Sequence, residues 1–372
     1  MLYIETPTLN QIGALHRTRS DACVSIYLKT TAVTQDIGQS RTNLGNLVRK
    51  AITQLEEAGL PKRRIWPLEE HLAILQEDED FWEHQANSLA ILVTPERIQT
   101  YRLANELHDM VEVSDRFHLK PLLRTVTFAH VAYVLAVSEN AVRLIEMSAN
   151  SPAREIKVQG MPKDAASAVG KKSINESGAG RRIQGLEGQK VRLGQYVRQI
   201  DTALRPILQG TDTPIILAST LPVDALFRSL TSLPLADQSI ETSPDRMTPA
   251  ELAEAARPVL DAKYEREIQD FHSAFDKQTG QNRTTTDTSD AARAATFGGI
   301  DTLLVDFDSV TIGTVDEDSG AIKFADKPGA SSYGIVDEIA GRALQSGARV
   351  LAVRKGDIPG GKELAAILRY PL

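Results

Sequence analysis

The sequence predicts a mixed α/β protein of three segments, each with a sheet packed by helices. At 372 residues the chain exceeds one core of ordinary size and fits two or three domains. Short alternating or wholly apolar runs interchange with longer stretches whose apolar residues recur at i, i+3 and i+4, the signatures of strand and helix. Glycine and proline punctuation then divides the chain into 1–124, 125–247 and 248–372. Hydrophobic residues at 42% and charged residues at 24% are ordinary globular proportions and argue against a disordered or collagen-like chain.

In the first segment, Cys23 to Lys29 alternates like a half-buried strand. A helix follows, with Leu44, Leu47, Val48, Ala51, Ile52 and Leu55 on one face, and stops at Gly59-Leu-Pro61. Leu68, Leu72 and Leu75 predict a second helix, and Leu89 to Val93 a strand. The second segment opens with strands at 131–137 and 141–146, joined tightly through Ser138 to Asn140. A polar, glycine-rich stretch from Asn150 to Gln189 is expected to be irregular. Leu193, Val197, Ile200, Leu204 and Ile207 then mark an amphipathic helix, followed by a strand at 215–218 and a helix at 223–230. The third segment begins at a capping box, with Thr248 as N-cap, Pro249 at the first helical position and Glu251 three residues on. That helix is expected to run past Pro258 towards Phe275, and a polar linker starts at Thr279. A helix (289–296), a strand (302–306), a hairpin (311–323), a helix (333–345) and a strand (349–353) complete the pattern.

The net charge is -7, but it is unevenly spread. Residues 151–200 hold ten basic and four acidic side chains, while 68–84 holds seven acids and no Lys or Arg. The acidic run reads as a solvated face. The basic one reads as a contact surface on an otherwise repelling body. A single cysteine, Cys23, excludes a disulfide framework and a cysteine zinc site, and seven histidines form no close ligand pair. No metal and no cofactor is expected. The chain carries no phosphate loop, dinucleotide fingerprint, HExxH or GxSxG, so no catalytic residue is assigned. His118 is expected to be a packing or hydrogen-bonding residue. No apolar run reaches membrane-spanning length and no leader is recognised at the start, so a cytoplasmic protein without membrane contact is expected.

The candidate RNA-binding residues lie between Lys171 and Arg198. Lys171, Lys172, Arg181 and Arg182 would neutralise phosphates, and Gln184 and Gln189 would offer amide donors and acceptors. Gly178, Gly180, Gly185 and Gly188 would let backbone approach backbone. Lys190, Arg192 and Arg198 would extend the basic surface onto the following helix.

The C-terminal string Gly360-Gly-Lys-Glu-Leu-Ala-Ala-Ile-Leu-Arg-Tyr-Pro-Leu372 resembles the close of Pelota-type ribosome rescue factors, and Ala291 to Val305 resembles the same domain. Gln195-Tyr-Val-Arg-Gln199 is similar to the helix after the catalytic loop of archaeal and eukaryotic class-one peptide release factors. Val24 to Leu28 with the helix Arg41 to Ala58 resembles the opening of their N-terminal domain, and Phe117-His-Leu-Lys-Pro-Leu-Leu123 a junction in their bacterial relatives. The resemblance covers nearly the whole chain and implies a release factor/Pelota-like arrangement, with the bacterial archaeo-eukaryotic release factor-like proteins as its group. It implies a tRNA-mimicking A-site occupant that binds the ribosome and its RNA, with a translational GTPase as a candidate second partner and a monomer as the expected state. Yet the Gly-Gly-Gln tip of true release factors is missing: the usual spacing from Tyr196 reaches Gly178-Ala-Gly180, and Glu187-Gly-Gln189 lies too close. The Asn-Ile-Lys-Ser tetrad of stop-codon decoding is also missing. A role in rescue or hibernation without peptidyl-tRNA hydrolysis is therefore expected. The alternatives are a hydrolase with a divergent tip, using Gln184 or Gln189 to orient water, and an adaptor that kept the fold without the ribosome.

Overall fold

The computed structural model describes residues 3–31, 33, 36–127, 131–148, 151–168, 186–208, 213–326, 329–330 and 332–371. Contacts gather the chain into two compact units, a central one spanning 129–266 and a composite one made from 1–128 and 267–372. The first and last parts of the chain thus share one unit.

The first part of the composite unit carries β1 (Cys23–Lys29), β2 (Ser88–Thr94), β3 (Arg97–Leu103) and β4 (Met110–Ser114) in the antiparallel order β3-β2-β1-β4. Helix α1 (Leu9–His16) precedes the sheet, and α2 (Ile37–Glu57), α3 (Lys62–Glu77) and α4 (Glu79–Glu83) lie between β1 and β2. The expected half-buried β1 is corrected: six of its seven residues are buried, because both faces are covered. Val24, Ile26 and Leu28 pack towards α2 and α3 with Leu44, Leu55, Leu68 and Trp82. Cys23 and Tyr27, on the opposite face, join a core that reaches into the end of the chain. Gly59 ends the α2 region with φ +77°, a left-handed value that glycine adopts without Cβ strain. Helix α5 (Lys120–Thr127) closes this part.

The central unit has β5 (Val131–Val137), β6 (Val142–Ser148), β7 (Ser151–Ile156) and β8 (Ile215–Ala218) in the order β7-β6-β5-β8, with β5 and β8 parallel. The period of two divides their side chains between two faces. Leu135, Leu144, Ile215 and Leu217 pack under α7 (Leu186–Leu208) and α8 (Val223–Leu230). Val134, Ala136, Ile145 and Ile216 pack against Leu252, Ala253 and Ala256 from the start of α9 (Pro249–Thr279). The stretch 150–189, expected to be irregular, contains β7, the short α6 (Ala165–Ala168) and the first turn of α7. The capping box is present: Thr248 N–H donates to Glu251 Oε2 at 2.7 Å and Glu251 N–H to Thr248 Oγ1 at 3.3 Å.

The remainder of the composite unit holds β9 (Thr284–Thr285), α10 (Thr288–Thr296), β10 (Ile300–Asp306), β11 (Ile312–Val315), β12 (Ile322–Phe324), β13 (Tyr333–Gly334), α11 (Ile335–Gln345), β14 (Arg349–Val353) and β15 (Leu364–Leu368). Two sheets result, β14-β10-β15-β9 with β10 and β14 parallel, and β12-β11-β13. Three elements of this part escape the sequence pattern. The strand β9 sits within the expected polar linker, β13 takes the first two residues of the helix expected over 333–345, and β15 is a wholly buried strand inside the C-terminal string.

Candidate RNA-binding face and the ion-paired junction

The basic surface expected from the sequence centres on α7. Its inner side is fixed by Leu193, Tyr196, Val197, Ile200 and Leu204, all buried against β5, β6 and β8. Asp201 anchors the helix: it is 3% exposed and accepts from Thr231 Oγ1 at 2.8 Å, Ser232 N–H at 2.9 Å and Arg205 Nε at 2.8 Å. Burial alone would raise its carboxyl, but those donors outweigh it and hold Asp201 below the usual carboxylate range. Tyr196 is fully buried, and burial pushes its hydroxyl well above the usual value for tyrosine; the hydroxyl finds no hydrogen-bond partner among the described residues. Before the basic stretch, Ala168 is buried in the same core and its carbonyl accepts from Gln199 Nε2 at 2.7 Å.

Of the candidate RNA-binding residues, Lys171, Lys172, Gly178, Gly180, Arg181, Arg182, Gln184 and Gly185 lie outside the described residues. Gly188 and Gln189 stand in the first turn of α7. Lys190, Arg192 and Arg198 are exposed on α7. At about 100° per residue, Lys190 and Arg198 fall roughly 80° apart and Arg192 lies on the other flank. The three cations therefore line both sides of the exposed arc rather than one row. Lys157 and Lys163, between β7 and α6, are exposed as well. Chemically this face can attract a polyanion, and no group of three or more metal-ligating side chains is found among the described residues.

A second constellation escaped sequence reasoning. In the composite unit, Glu338 is 1% exposed on the first turn of α11 and faces three cationic side chains and one histidine. Its carboxylate lies 2.9 Å from Arg116 Nη1, 2.8 Å from Arg342 Nε, 3.1 Å from His16 Nε2 and 3.6 Å from Arg19 Nη2. Burial would raise Glu338, but the hydrogen bonds of His16 and Arg342 and the charges of His16 and Arg116 hold it far below the carboxylate range. The neighbouring Asp337 accepts from Leu119 N–H at 2.9 Å and Lys120 N–H at 2.5 Å, docking the Phe117 to Leu123 segment on α11. His118 is buried there as the expected packing residue: its N–H donates to Ser25 Oγ at 2.9 Å and its carbonyl accepts from the Tyr27 hydroxyl at 2.5 Å. Burial lowers both the His118 imidazole and the Lys120 ammonium, with Asp337 opposing in each case. Lys120 Nζ donates to the Ser309 carbonyl. A cavity of about 630 Å³ adjoins Glu338, but its His16 and Arg342 walls are already bonded to Gln345, Thr296 and Glu338. The signal for this junction was the Phe117 to Leu123 string, whose two polar members sit inside an apolar run. Asp337 and Glu338 gave no signal, because adjacent acids at a helix start are ordinary surface residues.

Residues 129–266 match the model of Bacterial archaeo-eukaryotic release factor family 11. No curated protein matches the chain. Among solved structures, Saccharomyces cerevisiae Dom34, described as a translation termination-like factor involved in RNA quality control pathways and interacting with Hbs1, is 14% identical. It overlaps 77% of this chain and 80% of its own with a TM-score of 0.41. Archaeal Pelota, from an assembly of ribosome-bound Pelota and ABCE1, is 10% identical over 99% of this chain and 96% of its own, with a TM-score of 0.38. The archaeal translation termination factor aRF1 is 14% identical over 98% and 99%, with a TM-score of 0.24. No helix among the described residues is long and apolar enough to cross a membrane.

Proposed function

We propose that this chain is a ribosome-binding translation factor of the release factor/Pelota type that occupies the A site in rescue or hibernation and does not hydrolyse peptidyl-tRNA. The observation that carries the reading is the family match over 129–266, the unit that also bears the basic stretch and the exposed Lys190, Arg192 and Arg198. A polyanionic partner accounts for six net positive charges in residues 151–200 of a chain that is otherwise acidic. The lack of hydrolysis rests on the sequence, which contains no Gly-Gly-Gln. Glu187-Gly-Gln189 would set a carboxylate against phosphate, and a glutamine amide is neither nucleophile nor base. A translational GTPase as second partner, a monomeric state and a cytoplasmic site of action complete the proposal.

Sedimentation of the tagged chain with 70S ribosomes at physiological salt tests it. Recovery in ribosomal fractions of starved or stalled cells is expected, together with no release of labelled peptide from stalled complexes. Absence from those fractions in growing and starved cells alike refutes ribosome binding, and peptide release abolished by Gln189→Ala or Gln184→Ala favours the hydrolase.

A further inference from the structure

We propose that the outer face of α3 is a docking surface for a Lys/Arg-rich amphipathic segment of a partner protein. This goes beyond the RNA-binding reading, since the polarity is opposite. The inner face of α3 is satisfied by Ile65, Leu68 and Leu72, buried against β1 and β2. The outer face nevertheless carries Trp66 at 65% exposure and Ile74 at 63%. Trp82, the other tryptophan, shows the ordinary fate of such a side chain: it is buried, with Nε1 donating to the Leu75 carbonyl at 2.9 Å. Trp66, Ala73 and Ile74 follow i, i+7, i+8 spacing, which places them on one exposed stripe roughly 12 Å long. A large exposed indole and a large exposed aliphatic on one helix face are what a binding anchor requires.

The charges around the stripe choose the occupant. Glu70 and Glu77 stand within it, Glu69 beside it, and Asp78, Glu79, Asp80 and Glu83 follow. All seven are exposed, and among the described residues none pairs with a Lys or Arg. Lys62 and Arg63 precede Trp66 at the opposite end of the helix. Such a field repels nucleic acid and a second copy of the same surface, and attracts a cationic segment whose apolar side covers Trp66 and Ile74.

Photocrosslinking in cells tests this with the full chain carrying benzoylphenylalanine at position 66, and at exposed Asp301 as control; adducts are mapped by mass spectrometry. The expected adduct at position 66 is a segment of net positive charge, several-fold above the control. Adding Glu70→Lys and Glu77→Lys should reduce its yield at least fivefold while the thermal unfolding curve stays in place. Adducts to RNA, to a second copy or to an acidic segment would overturn the proposal, as would yields no higher than the control or insensitive to the charge reversals. Ribosome sedimentation does not enter this readout, so its failure leaves the A-site reading standing, and the converse holds.

Discussion

The central unit and the composite unit solve the same packing problem by different means. In the central unit, one continuous stretch supplies both faces of a four-stranded sheet, and its buried side chains are almost entirely apolar. In the composite unit, segments more than 200 residues apart share an apolar core and also meet through buried charges: Glu338 with His16 and Arg116, and Asp337 with the backbone of Leu119 and Lys120. An apolar core tolerates gradual erosion, whereas a buried ionic junction fails when one member is lost and its partners remain without compensation. The comparison teaches that the proposed RNA-binding face and the buried ionic junction of this chain reside in different units.

The largest expected effect is at the junction. Asp337→Ala leaves two buried backbone N–H groups without their acceptor and removes the strongest of the carboxylate charges that favour the Lys120 ammonium, and should destabilise the composite unit by about 3–5 kcal/mol. Both tryptophans, Trp66 and Trp82, belong to this unit, so urea unfolding followed by tryptophan fluorescence reports it selectively. Gly341→Ala sharpens the point, because a Cβ there would stand 1.8 Å from His16 Cδ2. The imidazole must leave its place beside Glu338, with an expected cost of about 2–3 kcal/mol in the same assay.

In the central unit, Leu204→Ala should cost about 2–4 kcal/mol by cavity formation. The loss should show in far-ultraviolet circular dichroism while the tryptophan transition stays in place. A shared transition would break the distinction between the units.

Acid should act on the composite unit first. The folded-state pKa of His118 lies below the ordinary histidine value because burial excludes the imidazolium, against the pull of Asp337. The unfolded chain therefore takes up a proton as pH falls through about 6.5, and stability drops as pH falls from there. Glu338 has a folded-state pKa far below the unfolded value of about 4.3, so its contribution is complete above that pH and fades as pH falls further. Tryptophan-monitored urea midpoints should decline from pH 7 to 5; an increase contradicts the assignment. A smaller effect concerns Cys23, whose buried thiol is pushed up to about 12. It should label with a thiol reagent only as fast as the composite unit opens.

The sequence made the central unit the more legible of the two. Its hairpin turn at Ser138 to Asn140, its 215–218 strand and its capped helix at Thr248 each follow from neighbours a few residues away. The strand β7 was hidden because Pro152 and two charged residues, Arg154 and Glu155, interrupt its alternation at a sheet edge. In the composite unit, β1 read as half-buried because sequence shows one strand's pattern and not the second layer that covers Cys23 and Tyr27. The pairing of Glu338 with Arg116 could not be read, since no local pattern links residues so far apart. For the candidate site, composition located the cations, and three of them, Lys190, Arg192 and Arg198, are exposed on α7.

The central claim is that cations of the central unit hold a ribosomal polyanion. It is tested most directly by measuring the affinity of the full chain for vacant ribosomes across a salt series, wild type against Lys190→Glu/Arg192→Glu/Arg198→Glu. These exposed substitutions should shift stability by less than about 1 kcal/mol. The account predicts at least tenfold weaker binding at physiological salt and a shallower dependence of log K on log salt. An affinity and a slope equal to wild type would contradict it.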